Sequence, residues 1–452
     1  MHRQSFKDLR QGYLNLAFSP VDIARSALAH AAQVNEKLNA FSWLDEAGAL
    51  EAAHASAQRW RSGETLGPLD GMPITVKDSA AVKGWPLRRG SLTTPETPAP
   101  QDTPFVARLR AAGAVLLGKT RAPEFNWKGV TDSPGFGITR NPLDPTLTPG
   151  GSSGGCAAAV AAGVVRVSIG SDAAGSVRIP AAFTGVLGLK PTRGRIPLVP
   201  FPTQFSGLAH LGPLAASADD LADVLDVIAG AAAGDWTSSL GNARPLALRE
   251  CEPEKLRVGV VAPDSLGDMD PAVRRGLDDM VARLAEGGIA CTTVELDVPG
   301  ASAAAAKLYR LGCARTIAGL GEDARQQLDP GLAGYVAAAE ALDLDAYLQV
   351  LAVRDRFAAQ LYALYESVDV VLLPTLPILP FEAGRNVPAG WEGDDWLVWN
   401  PYTPAFNLVP DPVLNYSVWP ANTVLPTGVQ FVAPPLEEGR LLALAAWLEA
   451  RR

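Results

Sequence analysis

The chain contains 452 residues, with 39 Lys or Arg against 48 Asp or Glu, so its formal net charge at pH 7 is −9. This acidic balance disfavours nucleic-acid binding, because nucleic-acid-binding surfaces are rich in Lys and Arg. Hydrophobic residues make up 48% of the chain and charged residues 19%, which argues against a disordered chain and allows a large buried core.

Neither a targeting segment nor a membrane span is predicted. The chain starts with MHRQSFKDLR, which lacks the apolar stretch of a signal peptide, and no apolar run approaches the roughly 18 residues of a membrane helix. The cysteines form no C-x-x-C pair and lie far apart, at Cys156, Cys251, Cys291 and Cys313. Neither a zinc cluster nor a disulfide framework is therefore expected. We predict a cytoplasmic protein that binds no metal, no nucleic acid and no membrane.

Helix and strand signals alternate along the chain. Ser19 and Pro20 predict a helix start, because a serine N-cap and a first-turn proline suit that position. The other predicted elements, in chain order, are a helix from Thr103-Pro104 to Gly113, a strand at 114–118, a helix at 156–162, a strand at 164–169, a strand at 257–261, a helix after Asp270-Pro271, and strands at 289–294 and 369–374. This alternation predicts an α/β fold with helices on both faces of a sheet.

Two long stretches, 233–253 and 377–404, show no regular periodicity. The second carries Trp391, Trp396 and Trp399 among several prolines. A loop of this length in a compact chain is more often a lid or a pocket wall than a plain connector, so we predict that role for 377–404.

The most unusual segment spans 148–195 and is rich in glycine and serine. Glycines flank Ser152 and Ser153 directly before a predicted helix, and such a turn offers backbone N–H groups to an anion or a developing oxyanion. A second polar turn, at 170–176, ends on Ser176. The alternative interpretation is that both turns are flexible surface loops.

Two known motifs fail here because of their surroundings. No lysine follows either glycine-rich turn, which excludes a phosphate-binding loop. Residues 150–154 match the G-x-S-x-G nucleophile elbow, but residues 139–149 contain three prolines and cannot form the strand that the elbow requires. A histidine triad also needs a histidine late in the chain, and the last one is His210. We interpret the elbow match as accidental.

A lysine can replace histidine as the base for a serine nucleophile if its amine is uncharged. Lys77 is the best candidate, because it ends the apolar run of GMPITVKD (71–78) and is therefore expected at the end of a buried strand. Lowering a lysine pKa from about 10.4 to about 7.5 costs about 4 kcal/mol, which burial can supply. The alternative is an ordinary strand-end lysine paired with Asp78.

At these residues the sequence resembles the amidase signature family of Ser-Ser-Lys amide hydrolases. The resemblance covers roughly 19–230 and 366–450 and is weak between them. The motifs that carry it are GMPITVKD (71–78), GAVLLGKTRAPEF (113–125), TRNPLDPTLTPGGSSGG (139–155), GSDAAGSVRIPAAFTGVLGLKPTRGRIP (170–197), HLGPLAASADDLADVLDVIAG (210–230) and LPTGVQFVAPPLEEGRLLALAAWLE (425–449).

The resemblance implies a single α/β domain with the amidase-signature fold, a large mixed central β-sheet covered by helices on both faces. Its expected parts are an N-terminal helical part (1–65), a catalytic core (66–232), a variable insert (233–365) and a C-terminal part that completes the sheet and pocket (366–452).

The resemblance also implies a role for individual residues. Ser176 aligns with the nucleophile, Ser152 with the bridging serine and Lys77 with the base. Backbone N–H groups of four consecutive residues align with the oxyanion hole, namely Ala173, Ala174, Gly175 and Ser176. The predicted supporting residues are the ion pair Asp172–Arg178 and the hydrogen-bonding helper Ser153.

Two positions depart from the family pattern. Ala174 occupies the first of two positions that are usually glycine before the nucleophile. If that residue needs a positive φ, an alanine there would be strained and the oxyanion hole misaligned. Cys156 occupies a position that usually holds a small residue, and we expect a packed side chain rather than a second nucleophile.

The substrate-binding residues are less defined. We predict contacts from Gly150 and Gly151 beside the catalytic serine, and from Trp127 and Trp399 as apolar walls. An alternative role for Arg178 is to contact a substrate carboxylate.

The function implied is hydrolysis of a linear carboxylic amide through a serine acyl-enzyme, with a small-molecule substrate and no metal or cofactor. One alternative is the A subunit of a tRNA-dependent amidotransferase, which shares the catalytic residues and passes ammonia to partner subunits. Another is a scaffold that keeps the fold without the chemistry. A homodimer is the default oligomer.

Overall fold

The computed structural model describes residues 2–200, 204–239, 251–421 and 423–451. Residues 240–250 of the stretch predicted to be irregular lie outside the described residues. The strands are β1 (Phe41–Leu44), β2 (Pro73–Lys77), β3 (Val115–Thr120), β4 (Asp132–Ser133), β5 (Gly137–Ile138), β6 (Val167–Asp172), β7 (Leu187–Lys190), β8 (His210–Ala215), β9 (Arg257–Val261), β10 (Ala290–Val294), β11 (Val370–Pro374), β12 (Val413–Val418) and β13 (Thr427–Val432).

Helices of very different lengths connect these strands. They are α1 (Phe6–Leu14), α2 (Pro20–Leu38), α3 (Glu46–Ser62), α4 (Pro104–Ala111), α5 (Gly154–Ala161), α6 (Arg178–Thr184), α7 (Ala218–Ile228), α8 (Pro271–Glu286), α9 (Val298–Ile317), α10 (Glu322–Arg325), α11 (Pro330–Glu340), α12 (Leu344–Leu364) and α13 (Glu438–Glu449).

One sheet runs through the whole molecule. Eleven strands form it in the order β1-β3-β2-β6-β8-β7-β12-β13-β11-β9-β10, and β4 pairs with β5 separately. The sheet is mixed, because β2 runs parallel to β3 and β6 whereas β6 runs antiparallel to β8. The predicted fold, a large mixed central sheet, is confirmed.

Side chains of the buried strands alternate between two packed layers. Along β11, Val370 and Leu372 join one apolar cluster, while Val371 and Leu373 join another. Helices α1, α4, α7, α8 and α13 contribute to the first layer, and α2, α3, α5, α6, α9, α11 and α12 supply most of the opposite face. Helices therefore cover both faces, as predicted.

The helix starts agree with the sequence signals. Helix α2 begins at Pro20 with a capping box between Ser19 and Asp22, and α8 begins at Pro271 after the N-cap Asp270. A serine or aspartate side chain satisfies a first-turn N–H, and proline loses nothing at the first position because its missing N–H would have no helical partner.

One strand differs from its prediction in a way that matters for the site. The strand predicted at 164–169 instead spans Val167–Asp172, because Ser171 and Asp172 continue its pairing with Leu211 and His210 of β8. Two polar residues thus belong to a central strand. Since β2 and β6 are parallel, their carboxyl ends meet at the same edge of the sheet, and this places Lys77 beside the loop that carries Ser176.

Candidate active site

A cavity of about 500 Å³ opens at this edge of the sheet. Ser152, Ser171 and Ser176 line it, so both predicted catalytic serines border the same space. Most of the remaining lining is apolar. It comes from loops and from the ends of α4 and β8, and it includes Leu87, Phe105, Leu198, Val199, Phe205 and Leu211. None of these residues was predicted to line the cavity, because local sequence patterns do not show which distant segments a side chain will face.

Lys77 lies behind the serines at the end of β2, with only 1% of its surface exposed. Its amine is 2.6 Å from Ser152 Oγ and 3.1 Å from Ser171 Oγ. Burial lowers the pKa of Lys77 to about 7, because the ammonium loses its hydration and nearby Cys156 and Asp172 offset only part of that loss. Near neutral pH a large fraction of this amine is therefore uncharged and able to accept a proton.

The alternative that Lys77 pairs with Asp78 is wrong. The Asp78 carboxylate instead forms an ion pair with Lys119 of the neighbouring strand β3, with Oδ1 and Nζ 3.1 Å apart. Successive residues along an extended segment point to opposite sides, so adjacent Lys77 and Asp78 find different partners.

The turn before α5 brings Ser152 to Lys77. The Gly151–Ser152 peptide bond is cis. A Cβ atom at Gly151 would lie 2.5 Å from the carbonyl oxygen of Val130, so only glycine fits this close approach. Neither Gly150 nor Gly151 belongs to the described lining of the cavity, and the predicted substrate contacts need correction. These glycines let the backbone pass neighbouring segments.

Ser176 follows the loop at 173–175 and is 3% exposed. Within the described ranges, no hydrogen bond joins its hydroxyl to that of Ser152. The structure thus contains the contact between Lys77 and Ser152, whereas the predicted contact between the two serines is not formed.

The loop before Ser176 presents backbone N–H groups, as predicted, but one of them is occupied. The N–H of Gly175 donates to Asp172 Oδ1 at 2.7 Å, which corrects its assignment to the oxyanion hole. The N–H groups of Ala173, Ala174 and Ser176 donate to no acceptor in the part of the chain that the structure describes. Three candidate donors remain.

The expected strain at Ala174 is absent. The positive φ falls on Gly175, at +107°, and not on Ala174. A Cβ atom at Gly175 would lie 2.0 Å from Thr403 Oγ1. Glycine is therefore required here both for the positive φ and for the close approach of Thr403. The Ala174 carbonyl accepts hydrogen bonds from Asn400 Nδ2 at 2.7 Å and from Thr403 Oγ1 at 2.8 Å. Asn400 and Thr403 were missed, because they lie more than two hundred residues away in a segment without periodicity.

Asp172 and Arg178 form a bidentate ion pair with both N–O distances at 3.0 Å. Burial opposes ionisation of Asp172, but the Arg178 guanidinium and hydrogen bonds from Arg178 and Asn407 hold the pKa of this carboxyl well below its usual range. Arg178 also donates to Asn407 Oδ1 at 2.7 Å and Gln430 Oε1 at 3.1 Å. With all its surface buried, Arg178 is not available to a substrate carboxylate, which excludes that alternative.

Ser153 ties the glycine-rich turn to β6. Its hydroxyl donates to the Ser171 carbonyl at 3.1 Å and accepts from the Ser171 N–H at 3.3 Å. Its own N–H donates to the Ser176 carbonyl at 3.1 Å. Ser171 also contributes a hydroxyl to Lys77 that was not predicted from the sequence, because nothing marked residue 171 as part of a strand.

The predicted substrate contacts of Trp127 and Trp399 also need correction. Both side chains are fully buried, and neither belongs to the described lining of the cavity. Trp127 packs edge-on against Tyr335 with ring centroids 5.1 Å apart, and Trp399 stacks on Phe183 at 6.1 Å. Composition identified large apolar side chains but not the direction in which each one packs.

The segment 377–404 was predicted to be a lid or pocket wall, and this prediction is wrong for the serine-lined cavity. The described lining contains no residue of 377–404, and it comes largely from 94–105, 197–200 and 204–205 instead. The tryptophan-rich segment supports the site from behind, since its Asn400 and Thr403 hold the Ala174 carbonyl.

The last histidine and the cysteine nearest the serines are packing residues. His210 Nδ1 lies 2.8 Å from the Leu208 carbonyl and its Nε2 lies 3.4 Å from Lys190 Nζ. Cys156 is buried with its sulfur 3.0 Å from Thr120 Oγ1, and burial raises the pKa of its thiol. A buried protonated thiol is a weak nucleophile, as predicted.

A membrane-spanning helix and a metal-binding cluster each set requirements that can be compared with the described residues. These residues contain no helix with both the length and the apolar character needed to cross a membrane. Nor do they contain a group of three or more His, Cys, Asp or Glu side chains that could hold a metal ion.

Comparison with known proteins identifies the family of this chain. The Amidase family model matches residues 22–442. The chain is 35% identical to the A subunit of Glutamyl-tRNA(Gln) amidotransferase from Thermus thermophilus, over 95% of this chain and 93% of the relative. Two solved structures, of 6-aminohexanoate cyclic dimer hydrolase and of an amidase, are each 30% identical. Their TM-scores are 0.89 and 0.85, and they cover 100% and 99% of this chain and 97% and 100% of their own. The chain belongs to the amidase family.

Proposed function

We propose that this protein hydrolyses a linear carboxylic amide through an acyl-enzyme on Ser176, with Lys77 as the base and Ser152 as the proton bridge. The observation that carries the proposal is the 2.6 Å contact between the buried Lys77 amine and Ser152 Oγ, beside a cavity that Ser176 also lines. A scaffold without chemistry has no need of an uncharged buried lysine held against a serine.

The first half of the reaction forms an ester. Ser176 Oγ bonds to the amide carbonyl carbon while its proton passes to Ser152, and the Ser152 proton passes to the Lys77 amine. The contact between the two serines forms when substrate binds, as catalytic hydrogen bonds often do. The carbonyl oxygen becomes an oxyanion and accepts hydrogen bonds from the N–H groups of Ala173, Ala174 and Ser176.

Collapse of the oxyanion breaks the carbon–nitrogen bond. The proton on Lys77 returns through Ser152 to the leaving nitrogen, which departs as ammonia or an amine. Water then attacks the ester and passes a proton along the same path, and Ser176 is restored as the carboxylic acid leaves. The Asp172–Arg178 pair holds the donor loop in place, since Asp172 fixes the N–H groups of Gly175 and Val177.

The Ser176→Ala variant tests the proposal. We expect the rate of ammonia release from simple primary amides to fall at least about 10⁴-fold with an unchanged thermal unfolding temperature, because the covalent step disappears. Ser302→Ala is a matched control, since Ser302 is a buried serine of α9 that does not line the cavity. Undiminished turnover in Ser176→Ala would reject the assignment.

A second candidate function is the A subunit of a tRNA-dependent amidotransferase, favoured by the 35% identity to such a protein. In that case the chain would release ammonia from glutamine, and only weakly without partner subunits. Purified chain assayed alone on glutamine and on aliphatic and aryl amides separates the two. A broad amidase turns over several of these amides, whereas an amidotransferase component favours glutamine.

The setting that we propose is a single domain acting in the cytoplasm on a small-molecule amide. The one sheet takes strands from all four of the segments 1–65, 66–232, 233–365 and 366–452. All four cysteines are free, which suits a reducing compartment.

A further inference from the structure

The cavity beside the serines is lined by a positively charged side chain, that of Arg89. Arg89 is the one basic residue among its described lining residues. No ion pair or side-chain hydrogen bond joins its guanidinium to another described residue, and the guanidinium lies over the Phe125 ring, 5.0 Å from the centroid. A guanidinium carries five N–H donors and no acceptor, so in an apolar cavity it lacks a counterpart.

The acidic residues nearby already have partners. Asp102 and Asp172 line the same cavity, but Asp102 pairs with Arg110 at 3.1 Å and Asp172 pairs with Arg178 at 3.0 Å. Asp78, which acts on Arg89 through space, pairs with Lys119. Each carboxylate around the cavity is therefore neutralised by another base, and the charge of Arg89 is left over.

The backbone holds Arg89 in an uncommon conformation. Its φ is +52°, a left-handed value that costs a non-glycine residue energy. The Arg89 N–H donates to the Asp78 carbonyl at 3.2 Å, and the Arg89 carbonyl accepts from the Phe125 N–H at 2.8 Å. Asp78 directly follows Lys77, so the backbone that holds Arg89 is attached to the strand that carries the base.

We propose that Arg89 is a specificity-determining residue that binds a carboxylate of the substrate, so that the preferred substrates are amides bearing a carboxylate at a distance from the scissile bond. The inference rests on the proposed amide hydrolysis. A planar guanidinium matches a carboxylate through two parallel hydrogen bonds, and such charge-assisted pairs are strong where water is excluded. Arg89 and the serines line the same cavity, and its other lining is mostly apolar, which suits a hydrocarbon spacer.

Matched substrate pairs test this inference. Each pair consists of the monoamide of a straight-chain dicarboxylic acid and the neutral fatty amide of equal length, such as adipamic acid and hexanamide. Roughly four to eight carbons suit a cavity of this volume. In the wild type we expect kcat/KM for the acid member to exceed that of its neutral counterpart about tenfold or more at the best length. In Arg89→Gln we expect the preference to disappear, because kcat/KM for the acid member falls at least about tenfold and kcat/KM for the neutral member changes little.

Arg88→Gln is the matched control. Arg88 is the adjacent arginine, pairs with the exposed Glu96 and does not line the cavity. We expect it to keep the wild-type preference. Equal kcat/KM for acid and neutral members in the wild type, or an equal loss of both in Arg89→Gln, would overturn the inference while leaving amide hydrolysis intact.

A binding measurement keeps the test independent of turnover. The Ser176→Ala variant is titrated calorimetrically with adipamic acid and hexanamide, with and without the Arg89→Gln change. If adipamic acid binds more tightly than hexanamide and this difference depends on Arg89, the inference is supported. This holds even if the wild type hydrolyses none of these amides. The absence of hydrolysis would reject the proposed function and not the role of Arg89. Equal affinity of the two ligands, or tighter binding of the acid that survives Arg89→Gln, contradicts it.

Discussion

Two buried lysines lie on neighbouring parallel strands and differ in their partners. Lys77 ends β2 and Lys119 lies on β3, where it pairs in register with Val76. Lys119 contacts the Asp78 carboxylate, whereas the hydrogen-bond partners of the Lys77 amine among the described residues are the hydroxyls of Ser152 and Ser171. Burial lowers the pKa of both amines. At Lys119 the contacting Asp78 opposes that shift, whereas at Lys77 Asp172 opposes it only through space, since no described carboxylate forms a hydrogen bond or ion pair with Lys77.

The difference shows how one fold uses the same residue type in two ways. A carboxylate partner keeps a buried lysine charged and makes it part of the structure. Hydroxyl partners leave most of the desolvation uncompensated, so the amine gives up its proton near neutral pH and can act as a base. Changing either set of partners should exchange or remove these roles.

Replacing Lys77 is expected to have the largest effect on turnover. Lys77→Met should lower kcat about 10³-fold, because it removes the proposed acceptor of the Ser152 proton. The same variant should be more stable than the wild type. In the wild type the pKa of Lys77 is about 10.5 in the unfolded chain and about 7 in the folded protein. The unfolded chain therefore binds this proton more tightly, and the buried amine lowers the free energy of unfolding.

The depressed pKa of Lys77 costs the wild type roughly 5 kcal/mol in the free energy of unfolding. This cost is fully present below about pH 7 and disappears as the pH rises toward about 10.5. Urea titrations of the wild type and of Lys77→Met at about pH 6 and about pH 9 measure the difference in the free energy of unfolding. We expect the advantage of Lys77→Met to be greater at the lower pH. An advantage that grows with pH would contradict a depressed pKa of Lys77.

Giving Lys77 a carboxylate partner is expected to have an intermediate effect. Ser171 Oγ lies 3.1 Å from Lys77 Nζ, so Ser171→Asp imitates the Lys119–Asp78 pair. An opposite charge at this distance raises a pKa by about 1–3. The uncharged amine then becomes scarcer at pH 7, and kcat/KM should fall about tenfold or more there and recover at higher pH.

The control for this change is Ser171→Asn, because an asparagine side chain has nearly the same size as aspartate and carries no charge. In the wild type and in Ser171→Asn, kcat/KM should rise with pH through about 7, following deprotonation of Lys77. The midpoint of that rise should shift upward only in Ser171→Asp. A common midpoint in all three proteins would mean that the pH profile reports a group other than Lys77.

Breaking the Lys119–Asp78 pair is expected to have the smallest effect on turnover and a large one on stability. Lys119→Met leaves a buried carboxylate unpaired and should cost about 3–5 kcal/mol in the free energy of unfolding. Adding Asp78→Asn should recover part of that cost, since no buried charge then remains. Denaturant titration gives the stabilities, and turnover per folded molecule should fall far less than in Lys77→Met. A loss of turnover as large as in Lys77→Met, with unchanged stability, would assign Lys119 a role in chemistry.

Much of the fold and part of the site could be predicted because their signals are local. Proline and N-cap residues marked the starts of α2 and α8, and the apolar run before Lys77 predicted its place at the end of a buried strand. The roles of Ser152 and Ser176 came from a family resemblance, because a glycine–serine turn alone also fits a surface loop.

The errors share one physical cause. Trp127 and Trp399 were expected in the pocket, and 377–404 was expected over it, because size and apolarity suggested contact with a substrate. Both tryptophans pack into the interior instead, and the cavity is lined largely by loop residues such as those of 94–103. A loop residue reaches a site through tertiary contacts that no sequence period encodes.

By itself, the sequence determined the α/β class and a buried position for Lys77, since strand and helix periodicities depend on neighbouring residues. Only the tertiary structure decided which groups meet that lysine. It brought the two hydroxyls to Lys77, gave the carboxylate of Asp78 to Lys119, and left Arg89 without an ion pair to any described residue. The physical reason is that the charge of a buried group depends on what lies within a few ångströms in space, and those atoms come from distant parts of the chain.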